Sequence, residues 1–382
     1  VLSCALPHNL GIAKASTKRK GKRAVESEGS PSKSAPRSSK GVVAPHSQIT
    51  DARMGRIVRL LSENATVVVS GTKIAEEISS SRSEVWRLIQ QLRGMGVDVA
   101  GHPATGYQLR SMPDLLLPEI LKPLLRGTIF ADHIHHFYKI GSTNTAAMQA
   151  AAESAPEGSV FLAEEQTAGR GRGTNSWDSQ RSAGIYCSVI LRPALPPSEV
   201  LVITLAAGLA VHAAVEDLGL RLSSPLDLKW PNDVLIGGRK VCGILTEMNS
   251  EPTSVRYIVV GVGINVNQAS FPAELEALAT SLRMASDSEL SRVELTAALL
   301  KSLHREYAQL ISSSGARESI LRRFAERSSW VQGKAVRIEE SFSPQHGTTA
   351  GLDERGFLRL QTANGIETVL SGTVRETVSS EQ

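Results

Sequence analysis

The spacing of apolar positions divides the chain into regions of different character. From Thr50, Ile57, Leu60 and Leu61 recur on one face of a helix expected to end near Asn64. Ile74, Ala75 and Ile78 mark a second, short helix. A third starts at Ser81-Arg82-Ser83-Glu84, the pattern of a capping box, and continues with Val85, Leu88, Ile89 and Leu92 at steps of three or four. Its other face presents Arg82, Ser83, Trp86, Arg87 and Gln90. After Gly94 and Gly96, the stretches Val97-Asp98-Val99 and Tyr107-Gln108-Leu109 flank a turn over Gly101–Gly106 and predict a β-hairpin. Three helices and a hairpin predict a winged helix-turn-helix over residues 46–112, with the helix-turn-helix at about Ser70 to Ile89. In that architecture the third helix lies in the major groove, which makes Arg82, Ser83, Trp86 and Arg87 candidate DNA contacts. A small helical module that docks another domain fits the same pattern. Residues 46–112 carry eight Lys/Arg against six acids, less basic than a strong DNA footprint.

Residues 113–328 mix strand-like runs (Val160–Glu164, Gly184–Leu191, Tyr257–Val266) with helical ones (Asn144–Glu153, Val200–Leu218, Arg292–Leu310), as expected of one α/β domain. The apolar run from Val200 to Val215 is interrupted by Thr204 and His212 and falls short of the ~20 residues of a bilayer span, so a buried helix is expected. Beyond Trp330, short β-rich segments (Ala335–Glu339, Gly356–Gln361, Glu367–Leu370) predict a small SH3-like β-barrel over residues 329–378. The fold class is therefore α+β in three domains, a count that suits 382 residues.

Charge changes the picture of only one region. The net charge of +4 and pI near 9.0 suggest a basic protein. Residues 1–45 alone carry nine Lys/Arg against two acids, however, which leaves residues 46–382 at −3. This segment is rich in Ser, Ala, Pro, Gly and Lys, has no aromatic residue, and is expected to be a disordered basic tail. The opening residue Val1 suggests that the true start lies elsewhere. Cys4, Cys187 and Cys242 are too few and scattered for a disulfide framework or a thiolate zinc site, which points to a reducing, cytoplasmic compartment. Cys187 and Cys242 sit in apolar strands and are expected to be inert. His133, His135 and His136 cluster without a downstream partner, so packed or solvated histidines are expected and no metal site is assigned.

The densest chemical signal is Gln166-Thr-Ala-Gly169-Arg170-Gly171-Arg172-Gly173-Thr-Asn-Ser-Trp177. Glycines let a backbone approach a ligand, and two guanidiniums supply bidentate donors for a carboxylate or phosphate. It is neither a Walker loop nor the dinucleotide-binding fingerprint. In Lys229-Trp230-Pro231-Asn232-Asp233, a lysine following a strand is a point charge placed where negative charge develops, with Trp230 as a packed anchor. Gly141-Ser142-Thr143-Asn144 brings small hydrogen-bonding side chains to a helix start; alone it is a plain N-cap.

With these motifs in this order, residues 50–378 resemble the biotin protein ligases, of the bifunctional bacterial kind that also represses the biotin operon. The resemblance implies a central α/β biotin/lipoate ligase catalytic domain at 113–328. It implies that Ser142, Thr143, Asn144 and Gln166 hold biotin, and that Arg170, Gly171 and Arg172 close over its carboxylate and the activated intermediate. Lys229 would sit at the reacting carboxylate and α-phosphate. Trp177, Asn232, Gly263, Asn265 and Arg375 would form the nucleotide pocket. The implied substrates are biotin and ATP with Mg²⁺, and the implied partners are a biotin carboxyl carrier protein domain and operator DNA, with a homodimer when liganded and no membrane. A monofunctional ligase with a structural winged domain, and a biotin-sensing repressor without transfer activity, are the alternatives. One departure is Gly173-Thr174-Asn175, where the family often continues with Gly and Arg; this implies a looser loop and altered retention of the intermediate.

Overall fold

A computed structural model describes residues 45–94, 96–111, 114–339 and 345–377; residues 1–44 of the expected basic tail, Cys4 included, lie outside the described residues. Helices α1 (Pro45–Glu63), α2 (Gly71–Glu77) and α3 (Arg82–Gly94) precede an antiparallel hairpin of β1 (Asp98–His102) and β2 (Gly106–Ser111). The apolar stripe identified the helices but not the start of α1, which lies at Pro45, a residue tolerated in a first turn because its missing N–H has no partner there. Ile57, Leu61, Ile74, Ile78, Val85, Leu88, Ile89 and Leu92 are buried in one core with Val99 and Tyr107. Half of the capping box forms. Ser81 Oγ accepts from the Glu84 N–H at 3.2 Å, but the Glu84 carboxylate takes the Arg87 guanidinium at 2.6 and 2.8 Å instead of reaching back. In the hairpin, a Cβ on Gly101 (φ +116°) would lie 2.0 Å from the Gly106 carbonyl oxygen, so this turn admits only glycine there.

The central region runs α4 (Pro118–Leu124), β3 (Ile134–Phe137), α5 (Thr143–Ala152), β4 (Val160–Ala163), β5 (Gly184–Leu191), α6 (Leu201–Glu216), β6 (Leu226–Lys229), β7 (Asp233–Ile236), β8 (Arg239–Ser250), β9 (Val255–Asn265), α7 (Ala273–Glu276), α8 (Leu282–Ser286), α9 (Arg292–Ser312) and α10 (Ala316–Glu326). Its seven strands form one sheet in the order β3-β4-β5-β9-β8-β7-β6, with only β3 and β4 parallel. Helix α6 is apolar all round because α9, α10 and the sheet surround it; with the preceding turn from Pro197 it makes a 20-residue helical stretch, longer than the expected Val200–Val215 run and by length and composition enough to cross a membrane, yet most of it is buried in the protein's own core. The period of two along β5 sorts the sheet's faces. Ile185, Cys187, Val189 and Leu191 join the core with α6, while Tyr186 and Ile190 face α5 with Phe161, Ala147 and Ala151. Burial pushes the Cys187 thiol up to about 12 and the Cys242 thiol further up, which suits inert thiols.

Strands β10 (Gln332–Glu339), β11 (Gln345–Leu352), β12 (Leu358–Thr362), β13 (Gly365–Val369) and β14 (Thr373–Glu376) make an antiparallel sheet in the order β13-β12-β11-β10-β14. The sequence pattern showed three of these five. Strands β11 and β14 escaped it because polar residues and Gly347 dilute their alternation. Val336, Ile338, Leu358, Leu360, Val369 and Val374 bury into the same core as α6, so this small sheet leans on the central region. Trp230, 2% exposed, is the packed anchor the sequence suggested; its Nε1 donates to the Gly356 carbonyl at 2.9 Å.

The winged and central regions meet at residues 114–117. Leu115 and Leu117 pack in the winged core and Leu116 in the central one. The Leu116 N–H donates to buried Glu164 at 3.0 Å, which also accepts from Ser182 Oγ (3.0 Å), pairs with Arg292 (2.8 Å) and meets His136 Nε2 (3.0 Å). Burial pushes the Glu164 carboxyl up, but His136, Arg292 and the Leu116 N–H outweigh it and hold the group at about 2. The other histidines are separate: His133 is exposed and His135 stacks on Phe161 at 4.7 Å.

Candidate active site

The face of the sheet away from α6 carries a glycine floor. Gly243 on β8 is paired with Gly263 on β9, and Gly261 lies two residues before Gly263 on the same face. A Cβ on Gly261 would stand 2.1 Å from Asn144 Oδ1, and one on Gly263 2.6 Å from the Trp177 ring. One on Gly243 would stand 2.8 Å from that ring. The missing side chains thus let Asn144 and the Trp177 indole lie directly on the sheet. Above this floor opens a cavity of about 480 Å³, room for a small organic acid and part of a nucleotide.

The start of α5 forms one end of the cavity. Ser142 caps the helix, its hydroxyl accepting from the Thr145 N–H at 3.5 Å. Thr143 donates its N–H to Gln166 Oε1 at 2.8 Å, and Gln166 Nε2 donates to Ser179 Oγ at 3.0 Å. Asn144 donates to Glu247 at 3.0 Å and to the Leu245 carbonyl at 3.3 Å, and accepts from Ser188 at 2.7 Å. All three α5 residues are buried, so their orientation is set by these partners. The N-cap reading is correct and incomplete: the same residues form a wall of aimed amide and hydroxyl groups.

Residues 166–177 fold over the floor as a hairpin. Arg170 pairs with Ser176, the Gly171 N–H donates to the Asn175 carbonyl at 2.8 Å, and the Trp177 N–H to the Gly169 carbonyl at 2.9 Å. Gly173, at φ +65°, sits in its tip. Gly173-Thr174-Asn175, where a looser loop was expected, form the turn that closes the hairpin. Arg170 is ion-paired with Glu247 at 2.9 Å. Arg172 crosses to the C-terminal sheet, donating to the Gly372 carbonyl and to Thr373 Oγ1; its Nη1 is buried without a protein partner, and burial lowers its pKa. Trp177 Nε1 is likewise buried without a protein partner.

The remaining predicted nucleotide residues converge here. Asn232 is fixed by exchange with Ile244, its Nδ2 donating to the Ile244 carbonyl and its carbonyl accepting the Ile244 N–H, both at 2.8 Å. Asn265 Nδ2 donates to the Thr280 carbonyl at 3.1 Å, and Arg375 reaches in from β14. Ser142, Thr143, Asn144, Gln166, Arg170, Gly171, Arg172, Trp177, Asn232, Gly263, Asn265 and Arg375 all line the one cavity. Lys229 is paired in strand register with the cavity-lining Asp233, and its ammonium stands over the Trp330 ring, 4.0 Å from the centroid. Burial lowers its pKa against the pull of Asp233, and Arg375, Lys240 and Lys334 lower it further.

Sequence reasoning missed Ser188, Asp233, Lys240, Glu247 and the apolar flap of Phe271, Leu275 and Leu278. Lys240 pairs with Asp233 at 2.7 Å and stands 5.3 Å from the Trp177 centroid. The alternation Gly261-Val-Gly263 was a readable signal for the floor; nothing local marks Ser188 or Glu247. The candidate DNA face is less free than expected. Arg82 donates to the Pro103 carbonyl in the hairpin and Arg87 is held by Glu84, whereas Trp86 is 47% exposed and Ser83 exposed beside Ser81.

The profile of the biotin/lipoate A/B protein ligase family matches residues 136–265, that of an HTH domain residues 53–108, and that of the biotin protein ligase C-terminal domain residues 332–375. The chain is 34% identical over 320 residues to the bifunctional ligase/repressor BirA of Bacillus spizizenii, covering 83% of this chain and 97% of that protein. It is 28% identical over 306 residues to the protein of the same name from Escherichia coli, covering 80% and 92%. Among solved structures, a biotin protein ligase from Aquifex aeolicus in complex with biotin and ATP is similar, with a TM-score of 0.55, 29% identity, and coverage of 64% of this chain and all of that one.

Proposed function

The chain belongs to the biotin protein ligases of the bifunctional ligase/repressor type, and from that membership we propose how its residues divide the work. It is an ATP-dependent ligase that forms biotinyl-5′-AMP and transfers biotin to a lysine of a carrier domain, and a DNA-binding repressor. The observation that carries the ligase reading is the convergence of a buried amide and hydroxyl wall, two arginines and an indole platform on one cavity. The parts of the chain are taken as a basic tail (1–45), a winged helix-turn-helix (46–112), the catalytic domain (113–328) and the C-terminal domain (329–378).

Ser142, Thr143, Asn144 and Gln166 offer donors and acceptors suited to biotin's ureido ring. Arg170, Gly171 and Arg172 cover its carboxylate, and Trp177, Asn232, Gly263, Asn265 and Arg375 take the nucleotide. A carboxylate oxygen attacks the α-phosphorus, the bond to the bridging oxygen breaks, and pyrophosphate leaves. Arg172 and Lys229 meet the charge that grows on the phosphoryl oxygens, in a partly buried setting where such contacts are strong. The acceptor amine then attacks the acyl carbon, AMP leaves, and an amide forms with loss of a proton. No side-chain nucleophile is needed; catalysis rests on positioning and charge. Among the described residues no three His, Cys, Asp or Glu side chains cluster. Asp233 and Asn232 line the cavity and suit the few protein oxygens that Mg²⁺ takes when bound with a nucleotide, where it supplies charge neutralisation. Operator DNA, a homodimer when liganded and the cytoplasm complete the reading.

Purified protein with ATP, Mg²⁺, biotin and a carrier domain is expected to give a streptavidin-reactive band; lipoate transfer without that band would overturn it. The pairing of Arg82 and Arg87 inside the winged domain favours one second reading, a ligase whose winged domain is structural. A gel shift on the operator with and without biotin separates the two.

A further inference from the structure

Lys229, paired in register with the cavity-lining Asp233, has its side chain held by an aromatic ring. Its ammonium stands 4.0 Å from the centroid of the Trp330 ring. Trp330 is 7% exposed and lies just before β10, where the chain enters the C-terminal sheet. A second ammonium, that of Lys334, stands 4.2 Å from the same centroid, but Glu376 draws on it at 3.2 Å. Among the described residues Lys229 has no such ion-pair partner: Asp233, the carboxylate that pulls on it, is paired with Lys240 at 2.7 Å. The indole is thus the fixed attractive surface in contact with this charge, and it belongs to the C-terminal domain.

We propose that Trp330 is a positioning residue for the adenylation step, its ring holding the Lys229 ammonium beside the cavity, next to the cavity-lining Asp233, so that the charge is delivered to the reacting carboxylate and phosphate. A cation on an aromatic face is held more weakly than one on a phosphate, so the indole orders Lys229 without trapping it. The lysine stem is otherwise free to adopt many rotamers, and the ring removes that freedom before substrate binds. The same sheet receives Arg172 at Gly372 and Thr373 and Trp230 at Gly356. Three contacts from the catalytic side thus end on the C-terminal domain, and two of them, at Arg172 and at Lys229, hold a catalytic charge.

This rests on the proposed role of Lys229, and the test separates the two by a double-mutant cycle read as biotin-dependent pyrophosphate exchange. Trp330→Leu, which keeps apolar volume and loses the π face, is expected to lower kcat about tenfold with KM for biotin within about twofold. Trp330→Phe should restore most of the rate. In a Lys229→Met background, Trp330→Leu should have no further effect, because Trp330 acts through the absent ammonium. Additive losses in that background, or an equal loss in Trp330→Phe, would make Trp330 a packing residue and overturn the proposal. An unchanged Trp330→Leu beside a crippled Lys229→Met would overturn it while leaving Lys229 in place. Full exchange by Lys229→Met would remove the underlying reading of Lys229 itself.

Discussion

Arg172 of the catalytic cavity and the arginines of the winged domain are held in opposite ways, whereas the cavity's Arg170, ion-paired with Glu247, and Arg375, paired with Glu339, are held as the winged ones are. In the cavity, Arg172 is anchored through one nitrogen and leaves Nη1 buried with no protein partner. In the winged domain, Arg87 spends its guanidinium on Glu84 and Gln91, Arg93 on the Val99 and Gly101 carbonyls, and Arg59 on Glu77. A buried donor with an open valence is a poised charge; an exposed, self-neutralised one is a surface ion pair of small consequence. The comparison teaches that the number of cations on a face is a poor guide to what it attracts. Their internal partners decide it.

The largest effect expected is on the catalytic side. Lys229→Ala should lower adenylate formation about a thousandfold, the scale of losing a group that meets developing charge, with biotin affinity changed far less. Stopped-flow adenylation beside biotin titration reads the two quantities. Equal losses would make Lys229 a ground-state ligand and erase the contrast with the winged arginines.

Between the two regions lies Glu164, tied to the Leu116 N–H of the junction and to Arg292. Glu164→Gln removes the closer of the two carboxylates that face Arg292, 0% exposed, leaving Asp114 at 3.7 Å, and should cost about 3 kcal/mol of stability in urea unfolding. The pH dependence follows from the carboxyl being held at about 2, below the ordinary 4.5. Its stabilisation is complete above about 4.5 and is lost as pH falls toward 2, since the unfolded chain takes up the proton first. The Gln variant should lose that part of the acid sensitivity; an unchanged acid profile would remove Glu164 as the joint.

The catalytic site was legible where its chemistry is local. Gly-Arg-Gly-Arg, Lys-Trp-Pro-Asn-Asp and Ser-Thr-Asn each keep their donors within a few residues, so the chain order alone identified them. Ser188, Glu247 and the glycine pair Gly243 and Gly263 become neighbours only through strand register, which no short window contains. Lys229 was singled out by its motif, but its contact with Trp330 was not legible, because that ring lies far along the chain. On the winged side the fold was legible from helical spacing, while the surface was not: Glu84 has the position of a capping-box residue, and its preference for Arg87 is a side-chain choice.

The floor gives a smaller, sharper test. Gly261→Ala sets a methyl 2.1 Å from Asn144 Oδ1, which must move and lose its bonds to Ser188 and Glu247. KM for biotin should rise about thirtyfold with the fold intact, the kind of loss that a displacement of one ångström brings. A normal KM would mean that Asn144 is not part of the biotin wall.

The smallest effect bears most directly on the winged domain. Glu84→Gln removes the charge that holds Arg87 and should leave ligase activity unchanged, since neither residue lines the cavity. If α3 meets operator phosphates, the freed guanidinium adds one contact: affinity should rise about threefold, and the slope of log K against log salt should steepen by about 0.9. The slope is the more telling quantity, because a rise in affinity also follows from losing a negative charge near DNA, while a full unit of counterion release requires a new cation at a phosphate. A flat slope with intact biotin transfer would leave the Arg87–Glu84 pair as part of a structural helix face, and the winged domain's arginines would then serve its own fold alone.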